Sequence, residues 1–352
     1  TQPAMASLNL LEWVPSQKLL VVGAKLFWNT LWRLMLGELA PQSADGAYVR
    51  PAPQSSSQPT WPSRLPMVRN RYHVYVGNPC PWCHRVTIVL ALRGLSHRGG
   101  VTSTRLANDP VRASRGGWAF DELDPDPLVG ASDLKAVYDT CSGGSYSGRC
   151  TAPLLVDLEA GEIISNESSE ICRMLNALEF GDEDTPQVEL YPPKLASRID
   201  ETNSWVYRMV NNGVYRAGFA TKQAAYEEAE RDVHLGLGRC DQILATSRFL
   251  CGPTVTESDV LLLPTAARFD AIYATLFRCG RRQIRSDYPN IRRWLREVLA
   301  LAGPFDLEDA HAGYYRDLFP LNPGGIVPKP PQLEFADEAE DRAPLDEVFT
   351  RR

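Results

Sequence analysis

Apolar residues along this chain recur with two different periods, and the change from one to the other divides the sequence. From Gln17 to Leu39 the residues Leu20, Ala24, Phe27, Leu31 and Leu34 return at helical spacing, with Trp28 and Trp32 on a neighbouring face. That pattern predicts an amphipathic helix packed on the protein's own body. The tryptophans beside Lys25 and Arg33 also allow peripheral contact with a membrane or partner. Further on, Tyr72-His73-Val74-Tyr75-Val76 reads as a strand, Gly77-Asn78-Pro79 as a turn, and Pro81 as the first residue of a helix reaching about Leu95. Leu154-Leu155-Val156-Asp157 and Ile163-Ile164-Ser165 flank Glu159-Ala160-Gly161 as a hairpin, and Ile171, Met174, Leu175 and Leu178 mark a helix after it. From Lys194 onward the period is helical almost throughout, over 199–210, 223–244, 257–276 and 290–302, so an all-α unit begins near Pro192-Pro193. Within it, Thr256 and Asp259 have the spacing of a capping box.

Between these units the pattern lapses. The stretch 41–66 carries Pro51, Pro53, Ser55, Ser56, Ser57, Pro59 and Pro62, a composition that predicts an extended connector unable to order itself. After Pro330 the chain turns Pro-rich and then acidic at Glu338, Glu340 and Asp341, which predicts a disordered or partner-bound tail. The organisation expected is therefore helix and connector over 1–66, an α/β domain over 67–190, an all-helical domain over 191–330 and a tail over 331–352. The 352 residues include 37 Lys+Arg and 43 Asp+Glu, a net charge of −6, with the basic residues scattered. Nucleic acid is excluded as a partner on that ground, since phosphate affinity needs concentrated positive charge. Lys18, Lys25, Arg33 and Glu38 interrupt the most apolar region, so no membrane span is expected. Thr1 in place of Met suggests a removed targeting segment.

Eight cysteines are too few for a disulfide scaffold, and Cys80 and Cys83 stand in Cys-x-x-Cys spacing, which favours a reducing compartment. Cys80 lies between strand and helix, at a helix N-terminus where unpaired N–H groups and the macrodipole favour thiolate. Cys83, one turn on, is able to face it and to displace a partner from a mixed disulfide. Arg85 adds positive charge nearby. The string Cys80-Pro81-Trp82-Cys83-His84 also satisfies c-type haem attachment, but a strand leading straight into it argues against a haem-enclosing fold. Cys141, Cys150, Cys172, Cys240, Cys251 and Cys279 offer no second ligand pair for zinc, so no metal is expected. Cys172, Cys240, Cys251 and Cys279 read as small hydrophobes, while Cys141 and Cys150 bracket a loop they are placed to close.

Seven strings taken together resemble a known family. They are Asn78-Pro79-Cys80-Pro81-Trp82-Cys83-His84-Arg85, Gly117-Trp118-Ala119-Phe120, Thr151-Ala152-Pro153-Leu154, Asn166-Glu167-Ser168-Ser169-Glu170-Ile171, the run 211–220 (NNGVYRAGFA), Arg268-Phe269-Asp270 and the run 322–328 (NPGGIVP). In this order they resemble the glutathionyl-hydroquinone reductases, the xi class of glutathione transferases, which are omega-like. The resemblance implies an α/β thioredoxin-like N-terminal domain followed by an all-α glutathione-transferase C-terminal domain, usually paired as a homodimer, with glutathione as co-substrate and no metal. It implies Cys80 as nucleophile, Trp118 covering glutathione, Ala152 before a cis Pro153 pairing with its cysteinyl unit, and Glu167 and Ser168 holding its γ-glutamyl end. Ser168 also suits a simple helix cap. A quinol pocket is implied at Tyr215, Tyr273, Tyr314 and Tyr315, with Tyr215 and Tyr314 assisting the departing quinol; Tyr207 and Tyr226 read as packing residues.

The chain departs from the family at Cys83, where alanine is usual. This leaves two other readings open: a dithiol, glutaredoxin-like deglutathionylase in which Cys83 resolves the mixed disulfide, and a non-catalytic subunit docked in a larger assembly through its termini. The segment Ala40-Pro41-Gln42 with Gly46-Ala47-Tyr48-Val49-Arg50-Pro51 resembles members from photosynthetic lineages and points to a chloroplast or other organelle, otherwise the cytoplasm.

Overall fold

A computed structural model of the chain describes residues 16–52, 66–96, 100–180, 188–303, 305–331 and 348–351. Helix α1 (Gln17–Leu39) precedes a small layered unit built from β1 (Tyr72–Val76), α2 (Pro81–Leu92), β2 (Val101–Arg105), β3 (Ala107–Asn108), β4 (Trp118–Ala119), α3 (Leu134–Cys141), β5 (Leu154–Asp157), β6 (Glu162–Ser165) and α4 (Ser168–Ala177). Four strands form one sheet in the order β2-β1-β5-β6. In it β1 and β2 are parallel, joined by the α2 crossover, and β5 and β6 close it antiparallel. Every residue of β1 is buried, as expected for a central strand covered on both faces. The short β2, the β3–β4 pair and α3 carry no clear period and are not legible in the sequence pattern.

Helices follow: α5 (Ala196–Val206), α6 (Gly213–Phe219), α7 (Gln223–Thr246), α8 (Glu257–Arg268), α9 (Ile284–Asp287), α10 (Pro289–Leu301) and α11 (Leu307–Asp317). Two stretches expected as continuous α-helix change pitch instead. Residues Tyr207–Asn211 after α5 and Phe269–Tyr273 after α8 wind as π-helical turns, a feature often found beside functional sites. The capping box at α8 is formed as expected, and the buried Asp259 carboxylate also takes hydrogen bonds from the Leu250 N–H and the Trp294 indole. Helix α2 is buried on nearly all sides because it packs against β1 and α4 in its own unit and against α8 across the boundary.

Three expectations need correction. Helix α1 covers the predicted residues, but only its C-terminal part meets the body. Leu36 is buried, the Trp32 indole donates to the Pro320 carbonyl at 3.1 Å and Trp28 meets Phe319, while most of its apolar residues are exposed. By length and composition, 17–37 is apolar enough to cross a membrane despite its charges. The first part of the connector is ordered: Tyr48 is buried against Phe219, and the Gly46 carbonyl accepts from the Thr221 N–H. Its proline-rich remainder, 53–65, lies outside the described residues. The end of the tail also returns to the body, where Val348 is buried and the Thr350 carbonyl accepts from the Glu189 N–H. Glu338, Glu340 and Asp341 lie outside the described residues.

Candidate active site

Cys80 is the N-cap of α2, with Pro81 as the first helical residue. Proline fits there because its missing N–H is one the helix cannot use. The turn before it is tight from two directions. A Cβ on Gly77 would stand 2.2 Å from the Trp118 ring, and one on Gly313 of α11 would stand 2.8 Å from Pro79. Trp118 of β4 thus lies against one side of the Cys80 turn, and α11 lies against the other.

The half-buried Cys80 thiol donates to the Ala152 carbonyl at 3.6 Å, and the Ala152–Pro153 peptide bond is cis. Burial pushes this thiol up. Against that act a hydrogen bond from the Cys83 thiol, the N–H groups of Cys83 and Trp82, and the charge of Arg268; together they prevail and bring Cys80 down to about 7. Cys83 moves the other way. Burial first, and then the neighbouring Cys80, hold it well above the ordinary thiol range.

The charge acting on Cys80 is that of Arg268, fully buried at the end of α8. Its guanidinium donates to the carbonyls of Asn78 (2.9 Å), Pro79 (3.2 Å) and Pro264 (3.1 Å), and it lies over the Phe305 ring. The same guanidinium reaches His84 Nδ1 at 3.1 Å. As guanidinium only donates, His84 accepts there and is neutral, its pKa held well below 6.5 by burial and by Arg268. His84 stacks on Phe305 at 4.2 Å and has no room to serve as a haem ligand. Arg85, near Cys80 in sequence but with a direction that sequence leaves open, turns away from the sulfur. It donates to the Leu261 carbonyl at 3.0 Å and to Ser168 Oγ at 3.4 Å, with the Trp82 ring beneath it.

Glu167, not Ser168, caps α4, its carboxylate accepting from the Ser169 N–H at 3.2 Å. Ser168 is buried in the first turn beside Arg85. These two residues, Trp118, Ala152 and Cys80 all belong to the sheet-bearing half. From the helical half come three tyrosines whose hydroxyls bond to one another: Tyr215 to Tyr314 at 2.6 Å, Tyr273 to Tyr314 at 3.2 Å and Tyr215 to Tyr273 at 3.4 Å. Burial holds all three phenols above their ordinary range, and Tyr273 also feels the charge of Cys80. The Tyr215 ring lies 6.0 Å from that of Trp82, two residues after Cys80. Tyr315 is not in this cluster; its hydroxyl turns toward Thr275 and the Leu276 backbone. Tyr207 packs on Trp82, and Tyr226 bonds the Arg278 carbonyl.

Two contributors were not foreseen. Arg268 stood in a quoted string but had no assigned role, and Arg50 of the connector places its guanidinium 3.9 Å over the Trp82 ring. All eight cysteines are free thiols; Cys141 and Cys150 do not close their loop, and burial pushes both up to about 11. Among the described residues no group of His, Cys, Asp and Glu has the arrangement of a metal site.

Comparison with known proteins agrees with this arrangement. Residues 79–178 match the glutathione S-transferase N-terminal domain, and residues 223–297 match the C-terminal domain. The chain is 41% identical over 267 residues to the glutathionyl-hydroquinone reductase PcpF of Sphingobium chlorophenolicum, covering 74% of this chain and 83% of that protein. It is 40% identical over 266 residues to the glutathionyl-hydroquinone reductase YqjG of Escherichia coli, covering 74% of this chain and 79% of that protein. The glutathione-bound structure of YqjG superposes with a TM-score of 0.71 over 84% of this chain and 93% of that one, at 36% identity. The xi glutathione transferase of Phanerochaete chrysosporium gives 0.73 at 37% identity, over 80% of this chain and 97% of that one. The fold is thus an α/β glutathione-transferase N-terminal domain followed by an all-α C-terminal one, and the chain belongs to the glutathionyl-hydroquinone reductases, the xi class of glutathione transferases.

Proposed function

We propose that this chain is a glutathione-dependent reductase that removes glutathione from glutathionyl-hydroquinones through a Cys80–glutathione disulfide. The observation that carries the reading is a thiol lowered to about 7 whose charge is felt by Tyr273, one of three mutually hydrogen-bonded tyrosine hydroxyls from the other half of the molecule. In this reading residues 67–190 hold glutathione. Trp118 covers it, Ala152 pairs with its cysteinyl backbone, and Glu167 and Ser168 receive its ammonium and carboxylate at the α4 N-terminus. Residues 191–330 hold the quinol, and two chains pair as a homodimer.

The Cys80 thiolate attacks the glutathione sulfur, forming the S–S bond as the bond from that sulfur to the aromatic carbon breaks. The electron pair stays on the ring, which takes a proton by way of Tyr215 or Tyr314 and leaves as hydroquinone. A second glutathione, as thiolate, then attacks the mixed disulfide, releasing oxidised glutathione and restoring the Cys80 thiolate.

The dithiol reading has one observation in its favour, the Cys83 hydrogen bond to Cys80. Its weakness is that Cys83 is buried and held as thiol, a slow attacking group. Single turnover with glutathionyl-menadiol, followed by mass spectrometry, tests the proposal. A glutathione adduct on Cys80 with release of menadiol supports it, and Cys80→Ser should lose both. Menadiol release that survives Cys80→Ser would overturn it.

A further inference from the structure

Helix α1 leaves a large apolar surface without a partner. Leu19, Leu26, Phe27 and Leu34 are 63, 68, 70 and 71% exposed, far more apolar surface than a monomer ordinarily shows to water on one helix. At 100° per residue these four, with Leu20 and Leu31, fill an arc of about 140°. A second arc of about 80° holds Lys18, Lys25, Asn29 and Arg33. From Gln17 to Gly37 every charged residue is basic, although the chain as a whole is acidic at −6. Trp28 and Trp32, bordering the basic arc, tie the C-terminal part of α1 to Phe319 and Pro320, and Leu36, which falls within that arc two turns beyond Asn29, is buried there.

We propose that α1 lies flat on an anionic lipid surface, with its leucines and Phe27 sunk to the acyl boundary and its basic strip among the headgroups. A wide apolar arc opposed to a cationic one is what that interface selects. A bilayer span fits the length but would place Lys25 near the hydrocarbon midplane, and the attachment of Trp32 and Leu36 to the folded body holds the helix alongside it. A second copy of α1 packed through its apolar arc would turn both basic arcs to water, so it accounts for the leucines and Phe27 but gives the basic strip no partner.

Flotation of the full chain with phosphatidylcholine vesicles, and with vesicles containing one-third phosphatidylglycerol, tests this at low and high salt. Binding is expected to the anionic vesicles, weakening with salt. The triple variant Lys18→Gln, Lys25→Gln, Arg33→Gln should bind those vesicles about 10²-fold more weakly, from a surface attraction that counts each cation separately. Phe27→Glu with Leu34→Glu should abolish flotation, with circular dichroism showing the fold retained. Equal, salt-independent binding to both vesicle types would overturn the proposal in favour of a span. Absence of vesicle binding, with light scattering showing an assembly that Phe27→Glu dissociates, would overturn it in favour of a second copy. Absence of binding without such an assembly would overturn it as well.

Discussion

Around Cys80 the sheet-bearing half of the molecule supplies mainly backbone, and the helical half supplies side chains. The first contributes the α2 N-terminus, the N–H groups of Trp82 and Cys83, and the carbonyl before cis Pro153. The second contributes the Arg268 guanidinium and the hydroxyls of Tyr215, Tyr273 and Tyr314. The backbone groups make a thiolate feasible in any chain of this shape. Arg268 adds charge to what the Cys83 thiol and the N–H groups already do, and it also ties down the turn that carries the sulfur, so the reactivity of the first half depends in part on the second.

Removing Arg268 should break this dependence most severely. The guanidinium is buried with no carboxylate in its hydrogen-bond set, and its charge favours the Cys80 thiolate. Arg268→Met removes that charge and leaves the carbonyls of Asn78, Pro79 and Pro264 without its donors, an expected stability loss of about 2–4 kcal/mol. Cys80 then moves up from about 7, so the midpoint of its alkylation rate against pH moves up with it. Turnover near neutrality should fall about 10²-fold, partly because the turn that aims the sulfur is released. Arg268→Lys keeps a charge but not three directed hydrogen bonds, so it should restore much of the alkylation midpoint and little of the turnover. An unchanged midpoint in Arg268→Met would show that the sheet half acts alone.

This dependence marks where sequence reading stops. The Cys80 string is a short run whose chemistry is local and whose flanking strand and helix the hydrophobic period locates. By contrast, Trp118, the Ala152–Pro153 bond, and Glu167 with Ser168 are picked out only by the family resemblance, Trp118 on a strand that shows no period. Arg268 lies 189 residues from Pro79 and converges on it only through the packing of α8 on α2. Arg85 is left open for the same reason, since adjacency in sequence places it beside Cys80 while the helix turns it to Ser168 and Leu261. The pair Tyr314-Tyr315 is indistinguishable in one dimension, yet α11 sends one ring to the cluster and the other to Thr275. For α1 the period announces a helix with an apolar face but says nothing of what covers that face, and the body covers only its end. The run 41–52 looks unable to order itself because its partners, Phe219 and Thr221, are supplied from elsewhere.

The tyrosines offer a gentler test. Burial keeps their hydroxyls protonated well past neutral pH, so in the proposed mechanism they serve as donors to the departing ring and not as bases. Because the three are hydrogen-bonded together, Tyr215→Phe or Tyr314→Phe alone should lower kcat about 10-fold, and the double variant nearer 10²-fold. The Cys80 alkylation midpoint should stay in place, separating this role from that of Arg268. A rise in KM with kcat unchanged would instead make the cluster a binding surface.

The smallest effect on turnover is expected at Cys83, inside the sheet half. Its thiol leads the groups that lower Cys80, but the N–H groups of Trp82 and Cys83 and the charge of Arg268 remain when the side chain is cut back, and the turn that carries the sulfur is untouched. Cys83→Ala should therefore raise the Cys80 midpoint modestly and slow turnover about two- to fivefold at neutral pH. The difference should vanish at alkaline pH, where Cys80 is fully ionised in both proteins. Rates on glutathionyl-menadiol, measured across that range for wild type and variant, decide the point. If Cys83 is instead a resolving thiol, the variant stalls as a glutathione adduct on Cys80 at every pH. Its turnover then falls to that of Cys80→Ser, and the contrast between the two halves moves to a contrast between two sulfurs one helical turn apart.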